Sequence, residues 1–398
     1  MADSKTHEIV VLGANFSGAG ISHYLLRHTI PALQKLDSTR AYHITVVSPN
    51  TDWFFKPATP RVLIAPALIP EEKVWRSLSD VFKRYPAEQI SRVQGFATAL
   101  DPTKKTVSVK LNSSGEQTIA YDSVVIATGT TGNPAFTLHN DQSLTSKYYN
   151  STQEVLPKTK TVLIAGGGAV GVETAGEIGA AFPSADITIL SGSTRLLARA
   201  TTKLSTRAEE YLKTNFGAKV VHNVRVTATS GDGPTTVTLS DGSTKTYDLY
   251  IDCTGGRPNS SFLPKSWLDA SGRVVQKDKY FRARGSESSD DAKDVYIVGD
   301  ILAGGTDNIF QLEAMVPSVG TAIGQDIAAK IGKAGKAPPL REFKPMTNTL
   351  MVPIGPGGGV GMLMGWAVPS LMVKTVKSKS FLIDMLDGYA FGDKWSKA

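Results

Sequence analysis

A chain of 398 residues, 41% hydrophobic and 20% charged, has the make-up of an ordinary globular protein and room for two to three domains. Its one cysteine, Cys253, excludes an internal disulfide and the redox-active cysteine pair of a disulfide reductase, and fits an intracellular protein. The formal charge of +7 raises nucleic-acid and membrane-surface readings, but residues 331–398 hold nine Lys/Arg against four Asp/Glu, so the excess reads first as a solvated basic tail, then as attraction to anionic lipid, with nucleic acid disfavoured.

Met1 to Glu8 contain no apolar core, so no secretory signal is expected, and Ala2 stands where an N-myristoylated chain carries glycine. No stretch of transmembrane length escapes Gly, Pro or Lys. A cytoplasmic protein, at most peripheral to a membrane and not secreted, is expected.

Residues 8–20, EIVVLGANFSGAG, read as a buried strand, a tight turn and a helix start. The turn Gly13-Ala14-Asn15-Phe16-Ser17-Gly18 follows a dinucleotide-binding pattern whose middle glycine is replaced by Asn15. Asn tolerates positive φ better than most residues, and its side chain is expected to crowd the phosphate approach. A second, intact copy of the pattern occurs about 150 residues later. Two such units suggest two nucleotides, and a flavin with a nicotinamide is the usual pair.

Between Ile21 and Tyr42, Pro31 is expected to interrupt any single helix. The strand 43–47 ends at Ser48, where an acid commonly holds ribose hydroxyls; Ser48 bonds more weakly than a carboxylate. In the aromatic stretch 53–61, Lys56 and Arg61 read either as contacts to the flavin pyrophosphate or ring or as surface charge. Residues 93–110 and 118–126 look like a β-meander that runs into the small-residue turn Ala127-Thr128-Gly129-Thr130, and the polar residues 140–160 read as a link.

The organising stretch is 161–178, TVLIAGGGAVGVETAGEI. Here Gly166 permits the turn, Gly168 lets the backbone approach a pyrophosphate, Gly171 lets helix and strand pack, and the helix N-terminus offers unpaired N–H groups. The following strand ends at Ser191 without a carboxylate, and Arg195 and Arg199 come soon after, so the coenzyme reads as NADPH or as either NADPH or NADH. Glu173, with Glu177 one turn later, is weighed as a solvated helical carboxylate against a group placed where the nicotinamide and flavin rings meet. A β-rich segment, 219–253, contains the hairpin signal Ser240-Asp241-Gly242 and ends at Cys253-Thr254-Gly255-Gly256-Arg257-Pro258-Asn259, with Cys253 read as a small apolar strand residue.

Residues 295–300, VYIVGD, form an apolar strand ended by Asp300, whose carboxylate is placed to accept from a ribityl hydroxyl. A helix from Gln311 to about Ile331 would point its N-terminal dipole at the flavin ring. From Pro338 a small third unit begins: a strand candidate at 347–353, a glycine run at 355–361 read as a hairpin turn, and an apolar segment at 369–376 followed by Lys377 and Lys379. That last segment suits either a cover for the flavin's open face or a membrane surface.

These motifs in this order, above all IAGGGAVGVETAGEI, PGGGVGMLMGW and LMVKTVKSK, resemble the ferroptosis-suppressor/AMID branch of apoptosis-inducing-factor-like flavoproteins, relatives of type II NADH dehydrogenases. The resemblance implies an α/β fold with two Rossmann-type domains: an FAD-binding domain at 1–135 and 270–335, an NAD(P)H-binding domain at 136–269, and a small C-terminal α+β domain at 336–398. It implies an FAD-dependent NAD(P)H oxidoreductase that passes hydride from nicotinamide to flavin and electrons on to a quinone or, slowly, to oxygen. The FAD contacts carried over are Gly13, Asn15, Phe16, Ser17, Gly18, Ser48, Lys56, Arg61, Ala97, Thr128, Gly129 and Asp300, with Gly166, Gly168, Gly171, Ser191, Arg195 and Gly255 on the coenzyme side. Glu173 matches the family glutamate near the nicotinamide, and Lys377 a C-terminal lysine near the flavin and quinone; no metal site is read. Asn15 and Ser48 depart from the family's FAD pattern, and the aromatic residue expected soon after the lysine is displaced to Phe381. The sequence leaves open a dedicated small-molecule oxidase or reductase, a reductase for an iron–sulfur partner, a redox-gated DNA-binding factor, and the choice between monomer and homodimer.

Overall fold

The computed structural model describes residues 6–231, 233–286, 291–305 and 308–397. The first body is built on β1 (His7–Leu12), β2 (Tyr42–Ser48), β3 (Ile90–Asp101), β4 (Thr106–Leu111), β5 (Glu116–Ala120) and β6 (Ser123–Ile126). The second is built on β7 (Thr161–Ala165), β8 (Asp186–Ser191), β9 (Lys219–His222) and β10 (Leu249–Asp252), and β11 (Val295–Ile297) then rejoins the first. The first sheet runs β11-β6-β1-β2-β3-β4-β5 and the second β9-β8-β7-β10. β1 lies between β2 and β6, in parallel to both, and the chain supplies it with Ile9, Val10, Val11 and Leu12, apolar to both faces as a doubly covered strand requires. β3 is long because it serves two partners. Its first half runs parallel beside β2, and from Gly95 it runs antiparallel beside β4.

Each glycine turn leads into a helix: α1 (Phe16–Tyr24) after β1 and α2 (Ala169–Ala181) after β7. The two connections between the bodies cross side by side, Thr130–Thr131 pairing antiparallel with Arg257–Pro258. Asn259 fastens the crossing. Its N–H donates to the Gly129 carbonyl at 3.0 Å and its Nδ2 to the Thr128 carbonyl at 2.9 Å, while the Thr128 hydroxyl donates back to the Asn259 carbonyl at 2.8 Å. A three-stranded antiparallel sheet closes the C-terminal unit: β12 (Leu350–Pro353), β13 (Gly359–Leu363) and β14 (Trp366–Val368). The glycine run at 355–361 makes the β12–β13 turn, and Ser240-Asp241-Gly242 joins the strands Thr235–Leu239 and Thr244–Tyr247. Among the described residues no helix is long and apolar enough to cross a membrane.

Two segments depart from the sequence reading. Residues 140–160 contain a helix, Ser143–Val155, whose buried residues are Thr145, Tyr149 and Thr152. The spacing is helical, but two of the three are threonines, so hydropathy does not flag the face. Pro31 does not break the first helical hairpin arm, which widens into a π-turn at Leu25–Thr29 and continues as Ile30–Leu36 with the proline in its first turn, where a missing N–H costs little. The helix expected from Gln311 to about Ile331 is present as Ile309–Lys330, capped by Asn308, whose Oδ1 accepts from the Phe310 N–H at 2.9 Å.

The basic C-terminal stretch is not a solvated tail throughout. Phe381, Tyr389 and Trp395 are buried, and residues 390–395 dock on the first helix and its extension. His23 Nε2 donates to the Ala390 carbonyl at 2.9 Å, His28 Nε2 to the Trp395 carbonyl at 2.7 Å, and Arg27 to the carbonyls of Phe391 and Gly392. With its proton on Nε2, neutral His23 accepts from the Tyr85 hydroxyl at Nδ1 (2.8 Å). Burial lowers the pKa of both His7 and His23 from the ordinary 6.5 to about 4. In the unfolded chain both take up a proton near the ordinary value, so the folded state loses ground as pH falls from 6.5 toward 4. The melting temperature is expected to drop through that window, and the slope to flatten in His23→Gln; a mutant with an unchanged slope would refute the assignment.

Candidate functional site

At the first turn Gly13 takes a φ of +108°, and a Cβ on Gly18 would run into the Gly13 carbonyl. Asn15 behaves otherwise than expected. Its φ is −85°, an extended N-cap that any residue can adopt, and its side-chain oxygen accepts from the Phe54 N–H at 3.1 Å. The amide is therefore engaged with the neighbouring strand Asp52–Phe54, and the substitution needs no left-handed backbone. Phe16 is buried among Trp53, Phe55 and Tyr389, with ring centroids 4.5, 5.7 and 5.4 Å away. Ser17 faces Gly299, which has room for no side chain there, and the next residue, Asp300, holds Lys56 Nζ at 2.6 Å. Residues 17, 56 and 300, far apart in sequence, thus gather at one edge of the sheet. Ser48 ends β2 and accepts from the Asn50 N–H at 3.3 Å, and Ala97 sits at the register shift between β3 and β4.

This edge fits a dinucleotide. Space lies open around the position a Cβ would take on Gly129 (φ +60°), the Oδ1 of Asn50 is a buried acceptor without a partner among the described residues, and Trp53 Nε1 is a buried donor in the same condition. Buried polar groups are seldom left unpaired. An unmet acceptor beside Ser48 suits a ribose hydroxyl at the strand end where the carboxylate is missing.

The second turn repeats the first with its glycine intact. Gly166 (φ +121°) lies against the Cys253 carbonyl, Gly171 against that of Gly166, and Gly168 caps α2 with nothing within 4 Å of a built Cβ. Gly255 (φ +97°) is equally open. Burial pushes the Cys253 thiol well above the ordinary range, so it stays protonated. Ser191 is buried and donates to the Arg195 carbonyl at 2.9 Å. The Arg195 guanidinium is tied to the Ala198 and Ala200 carbonyls and the Thr202 hydroxyl, beside a cavity of about 540 Å³ that is also lined by Glu209, Glu210 and Lys213.

The second turn leads straight into α2, and both of its carboxylates are buried rather than solvated: Glu173 is 4% exposed and Glu177 1%. Lys377, carried by a π-turn at Lys374–Ser378, reaches Glu173 Oε1 at 2.6 Å and donates to the Met351 carbonyl at 3.2 Å. Burial raises the Glu173 carboxyl above the ordinary carboxylate range, and the Lys377 ammonium opposes the rise. The two residues expected near the nicotinamide and the acceptor therefore share one ion pair across 204 positions.

Arg61, read as a contact to the flavin pyrophosphate or ring or as surface charge, is not a surface charge. It is 1% exposed and grips Glu177 with two bonds of 2.8 Å, while Nη1 donates to the carbonyls of Ser378 (2.5 Å) and Lys379 (3.2 Å). Its guanidinium carbon lies 4.6 Å from the centre of the Phe381 ring. Losing one member of such a pair strands the other charge, at a cost of about 3–5 kcal/mol. Nothing in the local sequence around Arg61 marks this pairing, which joins positions 116 apart.

Residues 7–324 match the pyridine nucleotide-disulphide oxidoreductase family. The chain belongs to it. It is 30% identical over 420 residues to oxidoreductase phnG of Penicillium herquei, covering 100% of this chain and 98% of that one. Ferroptosis suppressor protein 1 of Homo sapiens is 23% identical over 301 residues, 73% of this chain and 76% of the other, in line with the resemblance read from the motifs. The sulfide:quinone oxidoreductase of Aquifex aeolicus shares the fold, with a TM-score of 0.71 and 16% identity over 97% of this chain and 92% of that one. The protein is thus a flavin-dependent oxidoreductase with two Rossmann-type domains and a small C-terminal α+β domain, using FAD with NADH or NADPH. It keeps the family's nucleotide turns without a cysteine pair.

The open space at Gly168 yields a clean test. Gly168→Val should leave stability within about 0.5 kcal/mol yet weaken NADH and NADPH binding at least about tenfold, a loss of ~1.4 kcal/mol, in a fluorescence titration. Gly171→Val, which would strike the Gly166 carbonyl, should instead lower the melting temperature. Unchanged coenzyme affinity in Gly168→Val would remove this turn from the site.

Proposed function

We propose that the protein carries electrons from a reduced nicotinamide nucleotide to a quinone-type acceptor, with oxygen as a slow alternative. The observation that supports this best is the Glu173–Lys377 pair, a buried carboxylate and a partly buried ammonium that join the helix after the second glycine turn to the C-terminal unit. The Aquifex protein that shares the fold is a sulfide:quinone oxidoreductase, an enzyme of the same acceptor class. Bound FAD would supply the two-electron relay between the nicotinamide and the acceptor.

In this reading the body built on β1 holds FAD and the body built on β7 holds the coenzyme. The N-termini of α1 and α2 offer their free N–H groups to the two pyrophosphates. Ser48 and Asn50 would hold a ribose hydroxyl at the end of β2, and the Lys56–Asp300 pair would meet the flavin's hydroxylated chain. Glu173 would orient the nicotinamide and holds the Lys377 ammonium in place, and Lys377 Nζ would donate to an acceptor carbonyl oxygen that gains negative charge as it is reduced. Arg195 has its guanidinium tied to carbonyls, and Glu209 and Glu210 line the neighbouring cavity, so a 2′-phosphate gains little and both coenzymes serve.

The C-terminal unit also bears an apolar face: Trp366 is 82% exposed, Met364 79% and Leu371 69%, with Lys374 and Val376 close by in sequence. Aromatic and apolar side chains beside lysines suit the interface of an anionic bilayer, and peripheral attachment there would bring a lipid-soluble quinone to the site. A dedicated small-molecule acceptor is the second reading, favoured by the full-length match to a relative named simply as an oxidoreductase.

Steady-state NADH and NADPH oxidation against a panel of quinones tests the function. Turnover with a quinone is expected to fall at least about tenfold, ~1.4 kcal/mol of barrier, in Glu173→Gln and in Lys377→Ala at unchanged flavin content. If both variants turn over as the parent does, the site is misassigned. In a sedimentation assay with vesicles containing anionic lipid, the double variant Met364→Ser/Trp366→Ser should bind more weakly than the parent; equal binding would remove this face as the contact.

A further inference from the structure

Two carboxylates stand one turn apart on α2, and each takes a cation from a different region of the chain: Glu177 from Arg61, Glu173 from Lys377. The two ion pairs are not independent. The carbonyl that Arg61 Nη1 holds at 2.5 Å belongs to Ser378, the residue next to Lys377, and the neighbouring Lys379 carbonyl takes a second bond. The segment so held has little regular structure of its own. It leaves the π-turn at Ser378 and passes through two consecutive non-glycine residues in the left-handed region, Phe381 (φ 48°) and Leu382 (φ 63°), which persist only where surrounding contacts impose them. Arg61 supplies such a contact, through both carbonyls and through the face of Phe381.

The same guanidinium engages both oxygens of Glu177 with its fork, Nε on Oε2 and Nη2 on Oε1. Lys377 meets the other carboxylate, Glu173. A lysine at position 61 would keep the charge but could not span two carboxylate oxygens and two carbonyls at once, since an ammonium lacks the planar fork.

We propose that Arg61 is a positioning residue, which anchors the Ser378–Lys379 turn to α2 and thereby delivers Lys377 to Glu173. Its bearing on turnover rests on the reading of Glu173 and Lys377 given above; the anchoring itself does not. Arg61→Lys in the FAD-loaded full chain separates the two. Amide hydrogen exchange at residues 374–382 should speed up at least about tenfold, whatever the turnover. Quinone turnover should fall as well, and Arg61→Lys/Lys377→Ala should be no slower than Lys377→Ala alone, because the anchor has nothing left to deliver. Unchanged exchange at 374–382 overturns the proposal. A double variant slowed by the product of the two single effects overturns the positioning role, even with the anchor intact. Faster exchange in Arg61→Lys, with Lys377→Ala and Glu173→Gln both fully active, keeps the anchor and discards the proposed chemistry. Should Arg61→Lys fail to fold, Glu177→Gln, which weakens the grip on the guanidinium from the other side, is read by the same exchange and double-variant measurements.

Discussion

The structure depends on how closely other segments approach one helix. On α2, Gly171 meets the carbonyl of Gly166, Gly176 meets the backbone of Ile354 and Gly355, and Gly179 meets the ring of Phe216. Each glycine in a helix interior costs about 0.5–1 kcal/mol relative to alanine. Here the absent side chains let the second glycine turn, the end of β12 and the helix Thr202–Phe216 come within contact of one cylinder. No bulkier helix could have three unrelated pieces of chain at that range, and the burial of Glu173 and Glu177 follows from it.

Burial then governs the electrostatics. Two carboxylates removed from water on successive turns repel one another and lose hydration, and only cations in contact make their ionised forms tolerable. One cation comes from the first body and one from the C-terminal unit, so the charge balance of α2 requires all three parts of the molecule to be in place. The Lys377 side chain is partly withdrawn from solvent, 17% exposed, and its bond to the buried Glu173 carboxylate is stronger there than it would be in bulk water.

Much of this was legible in the sequence, for identifiable reasons. Strand, glycine turn and helix leave a local signature because a parallel strand buried on both faces must be continuously apolar and the turn needs positive φ, so both nucleotide units, the Ser240-Asp241-Gly242 hairpin and the β12–β13 turn could be read directly. Glu173 and Lys377 were found through motif likeness, and their contact across 204 positions had no local trace. The pairing of Arg61 with Glu177 left no local trace, because a cation among aromatic residues looks the same in sequence whether it faces solvent, a ligand or a buried carboxylate. The helix Ser143–Val155 was missed because its inward face is Thr, Tyr and Thr. Asn15 was read as crowding a phosphate because the Phe54 N–H, the group it actually meets, lies 39 positions away.

The docking of residues 390–395 on the first helix bears on the order of assembly. The imidazole of His23 and the carbonyl it holds are 367 positions apart, and His28 and Trp395 are separated by the same distance. A ribosome that has released the whole of the β1 body has therefore still to produce the partners of that body's first helix. Synthesis and folding cannot finish in the same sequence. Until its last turns emerge, the nascent chain must carry an incomplete N-terminal half, with Gly20 facing the space that the Trp395 indole will occupy, and that interval is when it is most open to chaperones and to aggregation.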